Sequence, residues 1–175
     1  MTKAEYTRLL QSAKNQGQDK LWTILQTICG MGIRISELPF ITAQAVRDGE
    51  AAVQLKGKNR VILMGKKLRR ILKKYMDRQG ISRGPLFVTK NGKPMDRSNI
   101  WKMMKKLCHS ARVNPQKVFP HNLRHLFART FYKTNKDIVK LADVLVHRNI
   151  NTTRIYIIST GKEHQKCMDA MGLVI

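Results

Sequence analysis

Apolar side chains recur at the spacing of a single helix face along most of this chain, and the spacing changes between residues 43 and 64. Leu21, Ile24, Leu25 and Ile28, for example, fall at positions i, i+3, i+4 and i+7. A helix with such a stripe has to bury that stripe against other elements. The pattern therefore predicts a predominantly helical fold with several helices around one core.

Residues 43–64 alternate with a period close to two, which is typical of strands. The segments 45–47, 51–55 and 60–63 read as strands, with a turn at Asp48-Gly49 and a second turn near Gly57. We therefore predict an α+β fold that is mostly helical and contains a small antiparallel three-stranded sheet.

The charge of the chain restricts its partners. Its 175 residues include 34 Lys and Arg against 11 Asp and Glu, a formal charge of +23. Such an excess predicts a polyanion as the partner. Anionic membrane and ribosomal RNA compete with DNA for this role, but the sequence has no apolar run of transmembrane length and no signal-peptide pattern. We expect a single domain over residues 1–175 that is soluble in the bacterial cytoplasm or nucleoid and does not bind membrane.

Basic residues gather on two predicted helix faces and near the hairpin. Dense like charges repel each other unless a polyanion neutralises them, although a solvated surface remains the alternative. The candidate DNA contacts are Arg60, Lys66, Lys67, Arg69, Arg70, Lys73, Lys74, Lys102, Lys105, Lys106, Arg148 and Arg154.

A turn flanked by glycines carries Arg34 and Glu37, one helical turn apart. Glycine permits close backbone approach, and a carboxylate at this spacing can steady a guanidinium that faces a ligand. The alternative is an ordinary surface ion pair. Further along, Pro120 suits the first turn of a helix on which His121 and Arg124 are predicted to project together, away from the core.

The sequence offers two arginines, two histidines, a lysine at a hairpin tip and a tyrosine, but no carboxylate cluster for Mg²⁺. This set of side chains suggests phosphoryl transfer without a metal. Bidentate guanidinium groups at Arg34 and Arg124 would hold the charge on non-bridging phosphate oxygens. Tyr156 would be the nucleophile, and a hydroxyl with a reference pKa of about 10 needs help from His121 and the arginines to lose its proton. Lys56 at the hairpin tip would protonate the leaving oxygen.

Other readings of the same residues remain. His147 would hydrogen-bond a phosphate oxygen, or it would be a charge partner at a helix C-terminus. His121 and His125 have the i, i+4 spacing of a zinc pair, but Asn122 stands where a zinc protease needs Glu. The three cysteines, Cys29, Cys108 and Cys167, are too scattered for a disulfide framework and read as small buried side chains. We expect no cofactor and no metal.

Taken together, these motifs resemble the catalytic domain of the tyrosine recombinases, the phage-integrase and Xer/Cre-like enzymes that break and rejoin DNA. Residues 30–38, with Arg34 and Glu37, look like the first arginine box of the family. Residues 120–125 are similar to its H-x-x-R-H box, with His125 as a supporting residue. Residues 145–156 resemble the box that ends in the nucleophile, and residues 56–60 resemble the lysine hairpin.

The resemblance covers nearly the whole chain and implies that Tyr156 attacks a DNA phosphodiester to form a 3′-phosphotyrosyl link and a free 5′-hydroxyl. It implies double-stranded DNA as substrate, a tetramer on that DNA in which the tail, residues 162–175, docks on a neighbour, and accessory DNA-bending proteins. We therefore expect a recombinase or integrase of a mobile element or phage. A non-catalytic basic DNA-binding module and a type IB topoisomerase are the rival functions.

The sequence departs from the family pattern in three places. Val146 stands where most relatives have glycine, just before His147. The hairpin is one residue shorter than in some relatives, so the resemblance favours Lys56 as the acid and leaves Lys58 as the runner-up. The N-terminal core-binding domain of most relatives has no counterpart in the sequence, so the chain is expected to be the catalytic domain alone.

Overall fold

The computed structural model of the chain describes residues 1–55 and 58–145. The first helix, α1 (Lys3–Asn15), begins at the predicted capping box, in which the Thr2 side chain accepts from the Glu5 N–H and the Glu5 carboxylate accepts from the Thr2 N–H. The second, α2 (Asp19–Met31), buries the predicted stripe of Leu21, Ile24, Leu25 and Ile28 completely. Gly30 lies inside α2, and the helix ends at Met31, with Gly32 as its cap.

The sheet is smaller than the sequence pattern predicts. The segment 45–47 is not a strand, because residues Ala43–Asp48 form helix α3. The Thr42 hydroxyl accepts from the Ala45 N–H at its start, and Gly49 ends it in the left-handed conformation with φ of +86°. The predicted three-stranded sheet is therefore wrong, and within the described residues the sheet has two strands, β1 (Glu50–Leu55) and β2 (Lys58–Leu63).

The two strands form an antiparallel hairpin whose register pairs Glu50 with Leu63 and Leu55 with Lys58. Ala51, Val53 and Ile62 face the core, while Val61 and Leu63 are exposed on the opposite face. A helix of fourteen residues follows, α4 (Lys66–Gln79), and it buries Leu68, Leu72 and Tyr75 as predicted. The hairpin therefore packs against the core through one face and leaves its other face in solvent.

Beyond a turn at Gly92, Asp96 accepts from the Asn99 N–H and starts α5 (Arg97–Lys106), which is followed by the short α6 (Cys108–Ala111). The apolar spacing of this segment predicts an inward face made of Trp101, Met104, Leu107, Cys108 and Ala111. Trp101 is instead 42% exposed, and Ile100 is buried in its place. Met104, Leu107, Cys108 and Ala111 are buried, so this face differs from the apolar pattern only at its first position.

Two further helices complete the described part of the fold. A short 3₁₀ turn (Pro115–Lys117) leads into α7 (Pro120–Asn135), which packs against α2 and is followed by α8 (Ile138–Leu145). The sequence pattern predicts Asn135 as the cap of the helix that contains Ile138 and Leu145. That prediction is wrong, because Asn135 is the last residue of α7. The Asp137 carboxylate caps α8 instead, accepting from the Lys140 N–H at 3.0 Å.

One apolar core joins α1, α2, α4, α5 and α7 with the hairpin. Cys108 is buried in it, Cys29 is half-buried, and both are free thiols. Among residues 1–55 and 58–145, no helix combines the length and the apolar character that crossing a membrane requires. Those same residues contain no group of three or more His, Cys, Asp or Glu arranged to hold a metal ion.

Candidate active site

Arg34 lies where α2 passes into a 3₁₀ helix (Ile35–Phe40), and Glu37 holds it by two contacts. The Glu37 carboxylate accepts from the Arg34 backbone N–H at 2.7 Å and from its Nη1 at 3.3 Å. The Glu37 side chain is only 4% exposed, whereas that of Arg34 is 48% exposed. The predicted pair therefore forms, and it orients a guanidinium that solvent and ligands can reach.

Gly32 permits this turn for two separate reasons. Its φ is +61°, in the left-handed region that glycine adopts readily. A Cβ atom at this position would also lie 2.3 Å from Cδ1 of Phe127 on α7, far inside van der Waals contact. The glycine therefore allows α7 to approach the turn that presents Arg34.

Arg124 is buried, and this differs from the prediction that it projects away from the core together with His121. Its residue is 1% exposed, its Nη1 donates to the Gly32 carbonyl at 2.5 Å, and its Nη2 donates to the Leu145 carbonyl at 2.9 Å. A buried guanidinium requires such acceptors. Arg124 consequently joins α7 to the end of α2 and to the end of α8, while His121 remains exposed.

The two histidines of α7 contact each other, with ring centroids 4.4 Å apart and a tilt of 69°. Partial burial of the His121 ring is the main cause that lowers its pKa below the ordinary value, and the charges of Arg124, Arg34 and Arg97 act in the same direction. Burial and the charges of His121, Arg129 and Arg124 lower the pKa of His125 to about 4. Both rings are therefore neutral at pH 7, and a neutral ring can accept a proton.

A cavity of about 500 Å³ brings the described candidates together. Arg34 lines it from the turn after α2, and His121 and Arg124 line it from the first turns of α7. Arg97, the first residue of α5, also lines the cavity. Sequence reasoning missed Arg97 because it stands in no recognisable motif, and only its position at a capped helix start, after Asp96, would have drawn attention to it.

Arg60 was predicted to contact DNA from the hairpin, but its side chain is 7% exposed. Its Nη2 donates to Glu37 at 3.0 Å, and its Nη1 donates to the Leu145 carbonyl at 3.0 Å. Burial lowers the pKa of Arg60, and the Glu37 carboxylate opposes this shift. Because both terminal nitrogens are engaged inside the fold, Arg60 is not a surface contact.

The other predicted DNA contacts divide into exposed and engaged side chains. Arg69 donates to the carbonyls of Val46 and Arg47 at the end of α3, and Lys105 donates to the Pro115 carbonyl while lying 5.2 Å from the Trp101 ring centroid. The remaining described residues of this group are all exposed to solvent: Lys66, Lys67, Arg70, Lys73, Lys74, Lys102 and Lys106.

Several predicted residues lie outside the part of the chain that the structure describes. These are Lys56, His147, Arg148, Arg154 and Tyr156, together with the tail, residues 162–175. The backbone of Lys58 is described as the start of β2, but its side chain is not. Their roles stay predictions.

Comparison with known proteins gives a family. The model of the family described as "Phage integrase family" matches residues 1–163. The chain is 33% identical over 168 residues to tyrosine recombinase XerH of Campylobacter jejuni, covering 89% of the chain and 47% of the relative. It is 29% identical to tyrosine recombinase XerA of Pyrococcus horikoshii, covering 99% of the chain and 61% of the relative. The chain thus spans about half the length of the first of these relatives.

Solved structures share the fold. The crystal structure of XerA recombinase superposes with a TM-score of 0.80 at 24% identity, covering the whole chain and 64% of that protein. XerH bound to its difH substrate gives a TM-score of 0.79 at 19% identity, covering 98% of the chain and 54% of that protein. The Tn1549 transposon integrase in complex with transposon right end DNA also superposes with a TM-score of 0.79 at 17% identity, covering 98% of the chain and 65% of that protein.

Proposed function

The chain belongs to the phage integrase family, and from that premise we propose that it is the catalytic part of a site-specific DNA recombinase. Its substrate is double-stranded DNA, which it cleaves and rejoins through a covalent bond to Tyr156. One observation carries the proposal: Arg34, His121 and Arg124 come from separate segments and line one cavity.

The arginines divide the binding of the scissile phosphate between them. Arg124 is held by two carbonyls and presents a fixed cation, while Arg34 is held at one side by Glu37 and keeps an exposed face. Charge that builds on the non-bridging oxygens in the transition state is stabilised best by donors that need no rearrangement. Arg124 supplies that preorganisation, and Arg34 closes on the phosphate when DNA binds.

The proposed reaction is a transesterification. The Tyr156 oxygen bonds to phosphorus, and the bond from phosphorus to the 5′-oxygen breaks, leaving a 3′-phosphotyrosyl link. His121, whose ring is neutral, accepts or relays the tyrosine proton, while Lys56 donates a proton to the departing 5′-oxygen and His147 binds a phosphate oxygen. A 5′-hydroxyl from a second strand reverses these steps. One phosphodiester replaces another, so the exchange needs no energy from a nucleotide.

The exposed basic face of α4 is proposed to bind the DNA backbone. Lys66, Lys67, Arg70, Lys73 and Lys74 are exposed along this one helix, where their mutual repulsion is relieved by phosphate. Lys102 and Lys106 add charge from α5. Similar structures with bound DNA, those of XerH and the Tn1549 integrase, support this choice of polyanion.

The biological setting and the assembly belong to the same proposal. The structural likeness to a transposon integrase supports a role in moving a phage or mobile element, which acts where bacterial DNA lies, in the cytoplasm or nucleoid. Strand exchange requires two duplexes and therefore several active sites, so we propose a tetramer on DNA. Its protomers would be linked through the tail, residues 162–175, with DNA-bending proteins as accessory partners.

Covalent capture tests the function. The native chain and the Tyr156→Phe variant are incubated with a pool of nicked duplexes of random sequence, and adducts that survive denaturant are isolated and sequenced. We expect an adduct enriched in one DNA sequence with the native chain and none with Tyr156→Phe.

Three outcomes would contradict the recombinase. An absence of adduct in the native chain, with DNA binding retained, would indicate a non-catalytic DNA-binding module. An equal adduct in Tyr156→Phe would exclude Tyr156 as the nucleophile. Adducts without sequence preference, together with relaxation of random-sequence supercoiled plasmid, would indicate a type IB topoisomerase.

A further inference from the structure

Arg60 is a buried cation on the hairpin that no phosphate-binding role accounts for. It stands on β2 opposite Val53, and its side chain is 7% exposed. Its guanidinium spans two acceptors on different parts of the fold, the Glu37 carboxylate and the Leu145 carbonyl, each at 3.0 Å. The planar fork of arginine suits two acceptors in divergent directions, whereas an ammonium group lacks that rigid geometry.

The first acceptor connects Arg60 with Arg34. Oε2 of Glu37 accepts from Arg60 Nη2 and also from the Arg34 backbone N–H, and Oε1 accepts from Arg34 Nη1. Because Glu37 is almost completely buried, its carboxylate has little freedom to turn. One carboxylate thus fixes both the turn after α2 and strand β2.

The second acceptor connects Arg60 with Arg124. The Leu145 carbonyl, at the last residue of α8, accepts from Arg60 Nη1 at 3.0 Å and from Arg124 Nη2 at 2.9 Å. Arg60 therefore shares one acceptor with each of the two cavity arginines.

Each cavity arginine keeps an anchor that does not depend on Arg60. Arg34 retains both of its contacts with Glu37, and Arg124 retains the Gly32 carbonyl. Strand β2, by contrast, has an exposed outer face, at Val61 and Leu63, and Arg60 is the side chain that ties it to the cavity. The apolar contacts of Ala51, Val53 and Ile62 hold the hairpin on the core without Arg60. Loss of Arg60 would therefore loosen the hairpin only around Arg60 itself and leave the arginines in place.

We propose that Arg60 is a positioning residue that locks the β1–β2 hairpin onto the two cavity arginines, and so sets the position of the hairpin lysine relative to the scissile phosphate. The proposal rests on the proposed function, in which Lys56 gives the leaving 5′-oxygen its proton. In sequence Lys56 lies between β1 and β2, four residues before Arg60.

The test uses two versions of the duplex obtained by covalent capture, one with oxygen and one with sulfur at the bridging 5′ position of the scissile phosphate. A sulfur leaving group departs as a thiolate and needs no proton donor. For Arg60→Met we expect single-turnover adduct formation on the oxygen duplex to slow by about 10²-fold, the effect of a misplaced general acid. On the sulfur duplex the variant should react within about threefold of the native rate.

The matched control is Arg83→Met, which removes an exposed arginine that does not line the cavity and should react like the native chain on both duplexes. Arg34→Ala should stay slow on both, because its role is in phosphate binding. If circular dichroism shows that Arg60→Met is unfolded, Arg60→Lys replaces it. This variant should lose less of the rate of adduct formation on the oxygen duplex and should again react at close to the native rate on the sulfur duplex.

The outcomes separate the two proposals. If the native chain forms no adduct on either duplex, the recombinase function itself fails. If the native chain reacts, but the Arg60 variant is equally slow on both duplexes or matches the native rate on oxygen, then Arg60 does not position the hairpin lysine.

Discussion

Arg34 and Arg124 place the same chemical group in opposite environments. Arg124 is 1% exposed and held by two backbone carbonyls, whereas the Arg34 side chain is 48% exposed and held by one carboxylate. A buried cation with fixed acceptors cannot reorient, so in the proposed function Arg124 would define where the phosphate binds. An exposed cation on a short tether can adjust to the phosphate. The site therefore combines one rigid contact with one adjustable contact.

Replacing Arg124 with Lys tests whether the two carbonyl contacts of this buried arginine contribute to stability as well as to the reaction. An ammonium group cannot reach the carbonyls of both Gly32 and Leu145 in the same planar geometry, so we expect the free energy of unfolding to fall by about 1–3 kcal/mol. Adduct formation should slow by about 10²-fold or more. Urea unfolding and single-turnover capture measure the two effects. Arg34→Lys, the exposed control, should slow the reaction with little loss of stability, and equal destabilisation by both variants would contradict this assignment.

His125 should make the stability of the fold depend on pH. Its pKa is lowered to about 4, against an ordinary value near 6.5, so between these values the unfolded chain binds the extra proton. Stability is therefore full above pH 6.5 and falls as the pH drops toward 4. Between pH 6.5 and pH 4, the free energy of unfolding should therefore fall by about 2 kcal/mol less in His125→Asn than in the native chain, allowing for partial exposure of the ring.

Urea unfolding at intervals from pH 7 to pH 4 measures this slope. His109→Asn, which removes an exposed histidine, is the control and should keep the native slope. A His125→Asn curve parallel to that of the native chain would show that another group causes the acid sensitivity.

Arg124 also shows what sequence reasoning at the residue scale misses. Helical spacing separated it from Leu123 and Leu126 and so predicted that it projects away from the core. Its burial depends instead on carbonyls 92 and 21 residues away along the chain. The identity of the residue was predictable from the motif, but its acceptors were not, because spacing carries no information about which distant carbonyl is free.

At the scale of elements, several features of α4 lower the stability of the helix. Gly65 provides no side-chain cap, Lys66 and Lys67 lie at the positive end of the helix dipole, and Lys66 faces Arg70 at i, i+4. Each of these costs a few tenths of a kcal/mol in an isolated helix, and DNA phosphates would relieve all of them. The arrangement favours a binding surface over a merely solvated one.

The Lys66→Glu variant should therefore change stability and DNA affinity in opposite directions. A glutamate at this position favours the dipole and pairs with Arg70, so we expect the free energy of unfolding to rise by about 0.3–1 kcal/mol. DNA affinity should fall, and the slope of log K against log salt should become shallower by about 1 to 2. Thermal unfolding and fluorescence anisotropy at several salt concentrations measure these effects.

Arg83→Glu is the control for that experiment, because it changes the net charge equally from an exposed loop position. It should weaken binding only slightly. If both variants weakened binding alike, net charge rather than the face of α4 would be responsible.

The elements that the sequence mispredicted are short. Residues 43–48 form a helix of under two turns, too short for its period to be told from that of a strand, and Asp48-Gly49 suits both a hairpin turn and a helix end. Thr42, which caps the helix, was the overlooked signal. The longer helices, with three or more turns of apolar spacing, were predicted correctly because each turn repeats the evidence.

At the scale of the whole molecule, the site exists because distant segments share acceptors. Glu37 connects Arg34 with a strand 23 residues further on, and the Leu145 carbonyl connects that strand with α7. The family resemblance predicts a shared role for Arg34, His121 and Arg124, and these three residues line one cavity. It did not predict that Arg60 shares one acceptor with Arg34 and another with Arg124, because the sequence shows Arg60 only as one of several cations in a basic hairpin.

The tail provides the last test, on the assembly as a whole. Residues 162–175 contain Met168 and Met171 and end in Leu173, Val174 and Ile175, an apolar sequence that has to be buried somewhere. If a neighbouring protomer buries it, a chain ending at Gly161 should keep its cooperative thermal unfolding and bind DNA as a monomer, without forming tetramers. Sedimentation velocity on a captured duplex, beside a chain whose last three residues are changed to Ser, measures this. Loss of cooperative unfolding in the shortened chain would instead show that the tail completes the core of its own protomer.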